Sequence, residues 1–253
     1  MTETLDDPAR RLPLTGCFNF RDLGGYPAAE GSRIRWRRLF RADGLSRLDN
    51  SDCDQLADLG LATVIDLRTL GELDDRGRLP EGSFEVEYHH LPLTDVLPPD
   101  ADLARYAEPA FVTDRYRQLF SEGSGSIRRA LEVLAEPGAL PAVFHCSAGK
   151  DRTGVLAALV LGFLGVPDDA IVDDYALSGE AMVNMLEWLR TEYEGEAESV
   201  ERYAPAVTSA HPEAMANFLS SLRDEYGGFD ELAASLDVTS AVASLKASLL
   251  VPR

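Results

Sequence analysis

The fold of this chain is decided by the stretch Ala142-Val143-Phe144-His145-Cys146-Ser147-Ala148-Gly149-Lys150-Asp151-Arg152-Thr153-Gly154. It opens with consecutive apolar residues, a pattern that predicts a short buried strand over 142–144. From Thr153 to Leu164 the chain is apolar on nearly every side, which predicts a central buried helix. The small residues in between predict a tight loop. A strand, a loop and a helix are therefore expected in direct succession.

The loop that opens this helix has the features of an anion-binding site. Backbone N–H groups at a helix start are unpaired, carry the positive end of the helix dipole and bind anions such as phosphate. Ser147, Ala148 and Gly149 are small enough to let the backbone curl around a tetrahedral oxyanion. Arg152, in the first helical turn, presents a planar guanidinium that can bind two oxygens at once.

Cys146 stands at the mouth of this predicted site. Helix N-termini and nearby cations favour the thiolate form of cysteine, so we expect Cys146 to be an ionised nucleophile at neutral pH. Thr153 is expected to hydrogen-bond the sulfur and to assist its release. His145 is expected to orient the loop, because a thiolate that is already formed needs no base. Lys150 adds positive charge suited to substrates with several phosphates.

The residues around the nucleophile are predicted to hold the phosphate of the substrate. For Lys150 and Asp151 a plain surface ion pair is the alternative interpretation, and such a pair would contribute little energy. The full set of predicted phosphate-binding residues is His145, Ser147, Ala148, Gly149, Lys150, Asp151 and Thr153.

Further strands and helices are predicted on both sides of this stretch. Branched apolar residues predict a strand over 59–67, and alternation predicts another over 84–91. Helices are expected over 49–59 with Ser51 as N-cap, over 113–120, over 126–135 and almost throughout the C-terminal third. This order predicts an α/β fold, with a central, mostly parallel sheet flanked by helices and extra C-terminal helices.

No composition shift marks a linker, so residues 1–253 are predicted to form one domain. The polar segment 1–13 is expected to be flexible. Residues 96–126 begin with a proline-rich, acidic stretch and are predicted to serve as a lid.

Composition excludes several classes of protein. The chain has 24 Lys and Arg against 43 Asp and Glu, a formal net charge of -19, which argues against nucleic-acid binding and against adhesion to anionic membranes. The longest apolar run, 155–166, falls short of the ~20 residues of a membrane span. Three widely spaced cysteines suggest neither a disulfide framework nor a zinc site, and His89-His90 lacks a third ligand. We expect a cytoplasmic protein without metal or cofactor, although secretion without a leader stays open. The sequence is silent on oligomeric state.

Four blocks of the sequence point to one known family. In His145–Gly154, Cys146 is separated from Arg152 by five residues, and Thr-Gly follows. The other three blocks, in order along the chain, are Asn19–Gly25, Leu39–Leu48 and Ile65–Arg68. Together they resemble the cysteine-dependent protein tyrosine phosphatase superfamily, in its bacterial branch of tyrosine/serine and lipid phosphatases. Four matching blocks are more specific than a lone motif.

The resemblance implies a phosphomonoester hydrolase that acts on phosphotyrosine and phosphoserine proteins, and on phosphoinositides as well, through a phosphocysteine at Cys146. Arg152 and the loop amides would bind the equatorial oxygens. The resemblance makes Asp95 the general acid, on a loop that could close over the substrate. Asp66 is the runner-up for that role, and with Arg68 it is also predicted to hold a strand end. Partners are a phosphorylated protein or a phospholipid, with no stable membrane insertion.

Two other functions compete with hydrolysis at the level of sequence. A catalytically silent module could bind phosphate esters without cleaving them, although this chain has both a nucleophile and a candidate acid. Sulfur or arsenic chemistry on a reactive thiol would need a resolving cysteine, and Cys17 and Cys53 are both far from Cys146 in sequence.

Overall fold

The computed structural model describes residues 8–252, apart from 81, 83, 98, 193–200, 202–203, 205–207 and 209. The strands in the described part are β1 (Arg21–Asp22), β2 (Ser32–Ile34), β3 (Leu39–Ala42), β4 (Thr63–Asp66), β5 (Glu87–His90), β6 (Ala142–His145) and β7 (Leu250–Pro252). The α-helices there are α1 (Asn50–Asp58), α2 (Leu70–Arg76), α3 (Pro109–Glu122), α4 (Ser124–Ala135), α5 (Asp151–Phe163), α6 (Asp168–Ala176), α7 (Ser178–Glu192), α8 (Pro212–Tyr226), α9 (Phe229–Ser235) and α10 (Thr239–Leu249).

A five-stranded sheet in the order β1-β3-β6-β4-β5 forms the centre of the fold. Strands β3, β6, β4 and β5 are parallel, and only β1 runs antiparallel to its neighbour. The predicted α/β fold with a mostly parallel sheet is confirmed. The register places Ala42, His145, Asp66 and His90 side by side at one end of the sheet. The loops that follow these four residues therefore share the carboxyl edge, where open α/β sheets bind ligands.

Helix α5 lies at the heart of the larger of two apolar cores. Its residues from Thr153 to Phe163 are all buried, as the apolar pattern predicts for a central helix. The larger core joins one face of the sheet to α3, α4 and the C-terminal helices. A second core on the other face contains Cys17, Cys53 and the apolar residues of α1. The sheet is thus covered on both sides, as parallel sheets require.

The start of α1 differs from the prediction. Asp49, and not Ser51, is the N-cap: its carboxylate accepts from the Asp52 backbone N–H at 2.8 Å, and the Asp52 carboxylate in turn accepts from the Asp49 N–H. This reciprocal pair satisfies two helix-end donors, whereas Ser51 lies inside the helix.

The strand predicted over 84–91 forms hydrogen bonds over a shorter range. β5 begins only at Glu87, because its partner β4 is four residues long and pairs Thr63 with Glu87 and Asp66 with His90. The alternation that predicted the strand still has a structural cause. Phe84, Val86 and Tyr88 pack against the second apolar core. Apolar patterning identified the buried face, but the length of the partner strand set the boundary.

Part of the segment 96–126 predicted as a lid is a helix packed in the larger core, and the lid itself stays a prediction. α3 occupies most of 109–126, and its Val112, Tyr116 and Phe120 are buried in the larger core. That region packs against α5 and α8 and cannot open without exposing apolar surface. Within the N-terminal segment, Arg10 is buried and donates to the carbonyls of Asp22 and Gly24. Residues 1–7 lie outside the described part.

The end of the chain adds a feature that the sequence pattern did not predict. After the C-terminal helices, β7 pairs antiparallel with β2, joining Ile34 to Leu250 and Ser32 to Pro252. Within the part of the chain described here, no helix is both long and apolar enough to cross a bilayer.

Candidate active site

Residues 146–152, which we call the catalytic loop, connect β6 to the first turn of α5 at the carboxyl edge of the sheet. The predicted succession of strand, loop and buried helix is confirmed. Cys146 is only 2% exposed, and Lys150 is the N-cap of α5. The backbone N–H groups of the helix start therefore surround the same space as the cysteine.

Gly149 is required by its surroundings. Its φ is +66°, a left-handed conformation that glycine adopts without strain. A Cβ at this position would lie 2.5 Å from the backbone oxygen of Ala42, far closer than van der Waals contact. The Gly44 N–H also donates to the Ser147 carbonyl at 3.1 Å. The loop is thus pressed against the end of β3, and only glycine fits at its tightest point.

The Thr153 hydroxyl lies where the sequence analysis placed it. Its Oγ1 is 3.1 Å from Cys146 Sγ, within hydrogen-bonding distance of a sulfur acceptor. Thr153 is fully buried in the first turn of α5, so its rotamer is held by packing. A hydroxyl that donates to sulfur stabilises negative charge on it. Such a contact favours both the attacking thiolate and the thiolate that leaves at the end of a reaction.

Arg152 is held by a carboxylate that the sequence analysis missed. Its two terminal nitrogens donate to Glu72, Nη1 to Oε2 at 2.5 Å and Nη2 to Oε1 at 2.8 Å. This end-on, bidentate pair occupies one edge of the guanidinium and leaves the Nε side of the fork for another anion. Glu72 thereby fixes the orientation of the Arg152 guanidinium.

Glu72 itself is fixed by three further contacts. Ser147 Oγ donates to its Oε1 at 2.6 Å, and the Thr69 backbone N–H and hydroxyl donate to its Oε2. Hydrogen bonds from Arg152 and Ser147 outweigh burial and lower the pKa of Glu72 to about 2. The signal in the sequence was Thr69-Leu70-Gly71-Glu72 after a strand, a capping box that begins α2. This pattern predicts where the helix begins, but it does not predict that Glu72 binds Arg152.

The substitution Glu72→Gln is expected to lower kcat for an aryl phosphate by roughly 10- to 100-fold, because a misaligned catalytic group costs about that much. KM should stay level or fall, since the neutral amide no longer competes with phosphate for Arg152. Steady-state kinetics separate the two parameters. Glu132→Gln, an exposed glutamate paired with Arg128, is the matched control. An unchanged kcat in a folded Glu72→Gln protein would contradict a positioning role.

His145 is buried between the loop and β4. Its Nδ1 lies 3.2 Å from the Cys146 carbonyl oxygen, and its Nε2 lies 3.6 Å from Asp66 Oδ2. Burial lowers the pKa of His145 below its usual value, although the nearby Asp66 carboxylate opposes this shift. These contacts agree with the expected role of orienting the loop.

Asp66 and Arg68 form a closed pair at the end of β4. The guanidinium binds both carboxylate oxygens, with Nη2 to Oδ2 at 2.6 Å, and the Tyr88 hydroxyl adds a bond of 2.6 Å. Despite the opposing effect of burial, the charge of His145 and these donors lower the pKa of Asp66. A carboxylate kept ionised and surrounded by donors is a poor proton donor, so the geometry favours the strand-end role for Asp66 over that of general acid.

Lys150 and Asp151 are not a surface ion pair. The Lys150 side chain is fully buried, with Nζ 3.6 Å from Asp151 Oδ2 and 5.8 Å from the centre of the Tyr106 ring. Asp151 accepts from the Tyr116 hydroxyl at 2.8 Å, and Tyr116 bonds to the hydroxyl of Tyr175 at 2.6 Å. The Lys150 ammonium is therefore enclosed in the protein beside Asp151 and Tyr106, rather than exposed at the surface.

Asp95 lies on the loop after β5, where the sequence analysis expected it, and its side chain is exposed. It lines a cleft of about 560 Å³ together with residues of α3 and the segment 92–102, including Arg115 and Asp102. The cleft is not centred on Cys146. The structure places the Thr153 hydroxyl on the Cys146 sulfur, with Arg152 the residue before Thr153, whereas the acid role of Asp95 stays a prediction.

The other two cysteines belong to a different apolar core from Cys146. All three cysteines are free and buried. Cys17 and Cys53 belong to the core on the opposite face of the sheet from the core that contains Cys146. Across the described residues, no three His, Cys, Asp or Glu side chains are grouped as metal ligands.

Comparisons with known proteins agree with this geometry. A family model described as the tyrosine phosphatase family matches residues 12–251. The triple specificity protein phosphatase PtpB of Mycobacterium tuberculosis is 35% identical over 204 residues, which cover 68% of this chain and 70% of that protein. A tyrosine-protein phosphatase of Nostoc commune is 32% identical over 152 residues, 60% of this chain and 52% of its own length.

Among solved structures, a crystal structure of a cysteine-to-serine variant of TpbA from P. aeruginosa in complex with phosphotyrosine matches 74% of this chain and 88% of its own. Its TM-score is 0.31 at 20% identity, too low to support a conclusion. The family model covers nearly the whole chain, and PtpB matches more than two thirds of it. This chain belongs to the tyrosine phosphatase family.

Proposed function

We propose that this protein hydrolyses phosphate monoesters in two steps through a phosphocysteine. The observation that carries the proposal is the hydrogen bond from Thr153, in the first turn of α5, to Cys146, with Arg152 in the same helical turn. A nucleophile, a donor to its sulfur and an anion-binding fork are thereby held by one rigid element. Membership of the tyrosine phosphatase family supports the same chemistry.

In the first step the Cys146 thiolate attacks phosphorus, and the bond from phosphorus to the ester oxygen breaks. The electron pair stays on the leaving oxygen, which takes a proton from the general acid, for which we propose Asp95. Charge on the equatorial oxygens is met by Arg152 and the loop amides, which need no rearrangement at the transition state.

In the second step water attacks the phosphocysteine. The Asp95 carboxylate takes a proton from that water, the phosphorus–sulfur bond breaks, and inorganic phosphate forms. The electron pair returns to the Cys146 sulfur, where the Thr153 hydroxyl stabilises it. After this step the Cys146 sulfur is again a thiolate and Asp95 is again protonated. The enzyme has therefore returned to its starting state, and the cycle can repeat.

For the substrate we propose phosphotyrosine and phosphoserine proteins together with phosphoinositides. PtpB is named a triple specificity phosphatase, and this chain is 35% identical to it. The buried positive charge of Lys150, within the catalytic loop, supports binding of highly charged phosphate esters. We also propose a cytoplasmic location, because three free, buried cysteines suit a reducing compartment.

A substrate panel tests this function. Purified protein is assayed for phosphate release from a phosphotyrosine peptide, a phosphoserine peptide and a phosphoinositide, each with wild type and with Lys150→Ala. We expect turnover of all three by wild type and a larger loss for the phosphoinositide in the variant. Equal losses would contradict the role of Lys150 in lipid preference. Absence of turnover with tight binding would favour the silent phosphate-binding module.

Asp95→Asn is expected to lower kcat for phenyl phosphate by roughly 10²- to 10³-fold, the usual contribution of a general acid. The loss should be smaller for p-nitrophenyl phosphate, whose leaving oxygen needs less protonation. Asp102→Asn, a carboxylate in the same cleft, is the control and should behave as wild type. Equal activity of Asp95→Asn and wild type on both esters would assign the acid role to another residue.

A further inference from the structure

Two consecutive carbonyls of the catalytic loop are bound from behind by side chains distant in sequence. Asn19 Nδ2 donates to the Ala148 carbonyl at 3.1 Å and to the Gly149 carbonyl at 3.0 Å. Arg41 Nη2 donates to the Gly149 carbonyl as well, at 2.9 Å. Both side chains are buried, so these contacts are shielded from water.

These bonds determine which way the loop amides point. In a trans peptide the carbonyl and the N–H of the next residue point in opposite directions. Because the carbonyls of Ala148 and Gly149 face Asn19 and Arg41, the N–H groups of Gly149 and Lys150 face the other way, toward the centre of the loop. With the carbonyls turned inward, the same loop would present oxygens to a phosphate and repel it.

The Asn19 amide is itself held in one orientation. Its Oδ1 accepts from Arg21 Nη1, which leaves Nδ2 to face the loop. Arg21 donates from Nε to Asp174 Oδ1 at 3.1 Å, and Asp174 is fully enclosed on α6. An asparagine amide whose oxygen binds an arginine cannot flip without losing both sets of contacts. These contacts therefore link the position of α6, through Asp174 and Arg21, to the orientation of the Asn19 amide that binds the loop.

Arg41 shares the same carboxylate. Its Nη1 donates to Asp174 Oδ2 at 2.6 Å, and its side chain is 1% exposed. Two buried arginines, Arg21 and Arg41, thus both bind the Asp174 carboxylate. Arg41 also contacts the loop directly, at the Gly149 carbonyl. Positive charge in a shielded site interacts strongly with a nearby anion. This charge complements that of a phosphate held on the opposite side of the Gly149 peptide.

We propose that Asn19 and Arg41 are positioning residues that hold the catalytic-loop amides in the phosphate-binding orientation, and so set oxyanion affinity and kcat together. The inference rests on the proposed function, because the loop it concerns is the catalytic one. It gives a role to two of the sequence blocks that resemble the family, Asn19–Gly25 and Leu39–Leu48. Neither side chain is proposed to touch the substrate.

The test measures binding and turnover separately. Tungstate serves as the oxyanion probe, and its inhibition constant and calorimetric Kd are compared for wild type, Asn19→Asp and Arg41→Lys. Asn19→Asp keeps the size of the side chain and its contact with Arg21, but it replaces the donor to both carbonyls by an acceptor. We expect tungstate to bind about 10- to 100-fold more weakly, with a similar fall in kcat. Arg41→Lys keeps the charge and one donor and should show a smaller loss in both.

Arg10→Lys is the matched control. Arg10 is also a buried arginine that donates to backbone carbonyls, those of Asp22 and Gly24 at 2.8 and 2.7 Å, but it does not bind the loop. We expect Arg10→Lys to lower Tm without lowering the affinity for tungstate. If Asn19→Asp does not fold, Arg41→Lys and Asn19→Ala, assayed with the same probe, decide the question.

Two outcomes would overturn the proposal. One is a folded Asn19→Asp protein that binds tungstate and turns over substrate as wild type does. The other is an equal loss of tungstate affinity in Arg10→Lys, which would reveal general destabilisation. Failure of the proposed function is distinguishable, because it would appear as wild-type protein that binds tungstate but releases no phosphate from any ester.

Discussion

Cys146→Ser is expected to abolish phosphate release, with a fall in kcat on the order of 10⁴- to 10⁶-fold, as follows removal of a nucleophile from other enzymes. The serine hydroxyl fits the space of the thiol, which is 2% exposed and hydrogen-bonded to Thr153. It does not ionise near neutral pH, so no anion is available to attack phosphorus. The loop amides and Arg152 stay in place, and the variant should still bind tungstate.

The measurement combines phosphate release with mass spectrometry of acid-quenched reactions. Wild type should yield a phosphorylated peptide that contains Cys146, and the variant should yield none. Cys53→Ser is the matched control, because Cys53 is also buried but lies in the second core. It should lower Tm while leaving turnover intact. Turnover that survives Cys146→Ser would contradict the phosphocysteine mechanism.

Arg152→Lys is expected to lower kcat/KM by roughly 10²- to 10³-fold, the cost of removing one oriented donor to a developing oxyanion. The lysine keeps the charge but loses the planar fork. It also cannot bind both oxygens of Glu72 end-on, as Arg152 does at 2.5 and 2.8 Å, and still present a second edge to phosphate. Tungstate affinity should fall together with kcat/KM.

Steady-state kinetics and tungstate inhibition check this expectation. Arg128→Lys, at an exposed arginine paired with Glu132, controls for the change of side chain and should be neutral. The double variant Glu72→Gln/Arg152→Lys should lose less transition-state stabilisation, measured from kcat/KM, than the sum of the losses in the two single variants. The reason is that both changes disrupt the same pair. A kcat/KM within about fivefold of wild type for Arg152→Lys would mean that charge alone, without the fork, is sufficient.

Much of the fold was predictable because its signals are local. The strand, tight loop and buried helix from Ala142 to Phe163 occupy one continuous stretch, and each element has its own pattern of apolar and small residues. Boundaries were less predictable. β5 begins at Glu87 because β4 is short, and α3 is a core helix because its apolar face meets α5 and α8. Both facts depend on partners remote in sequence.

The candidate site divides in the same way. Cys146, Arg152 and Thr153 lie within eight residues of one another, so the sequence by itself was enough to place the proposed nucleophile, the proposed anion-binding fork and the hydroxyl that donates to sulfur on one short stretch. Tertiary structure alone decided that Glu72 holds Arg152. Eighty positions separate these two residues, and they meet because parallel strands bring their following loops to one edge of the sheet.

The orientation of the loop amides likewise came only from tertiary contacts. Asn19 and Arg41 reach the Gly149 carbonyl from more than a hundred positions away. Lys150 looked in sequence like a residue facing substrate or solvent, yet its side chain is fully buried, with Tyr106 close to its ammonium. A motif specifies which groups are present within one turn of chain, whereas their direction and charge state depend on what the rest of the fold packs against them.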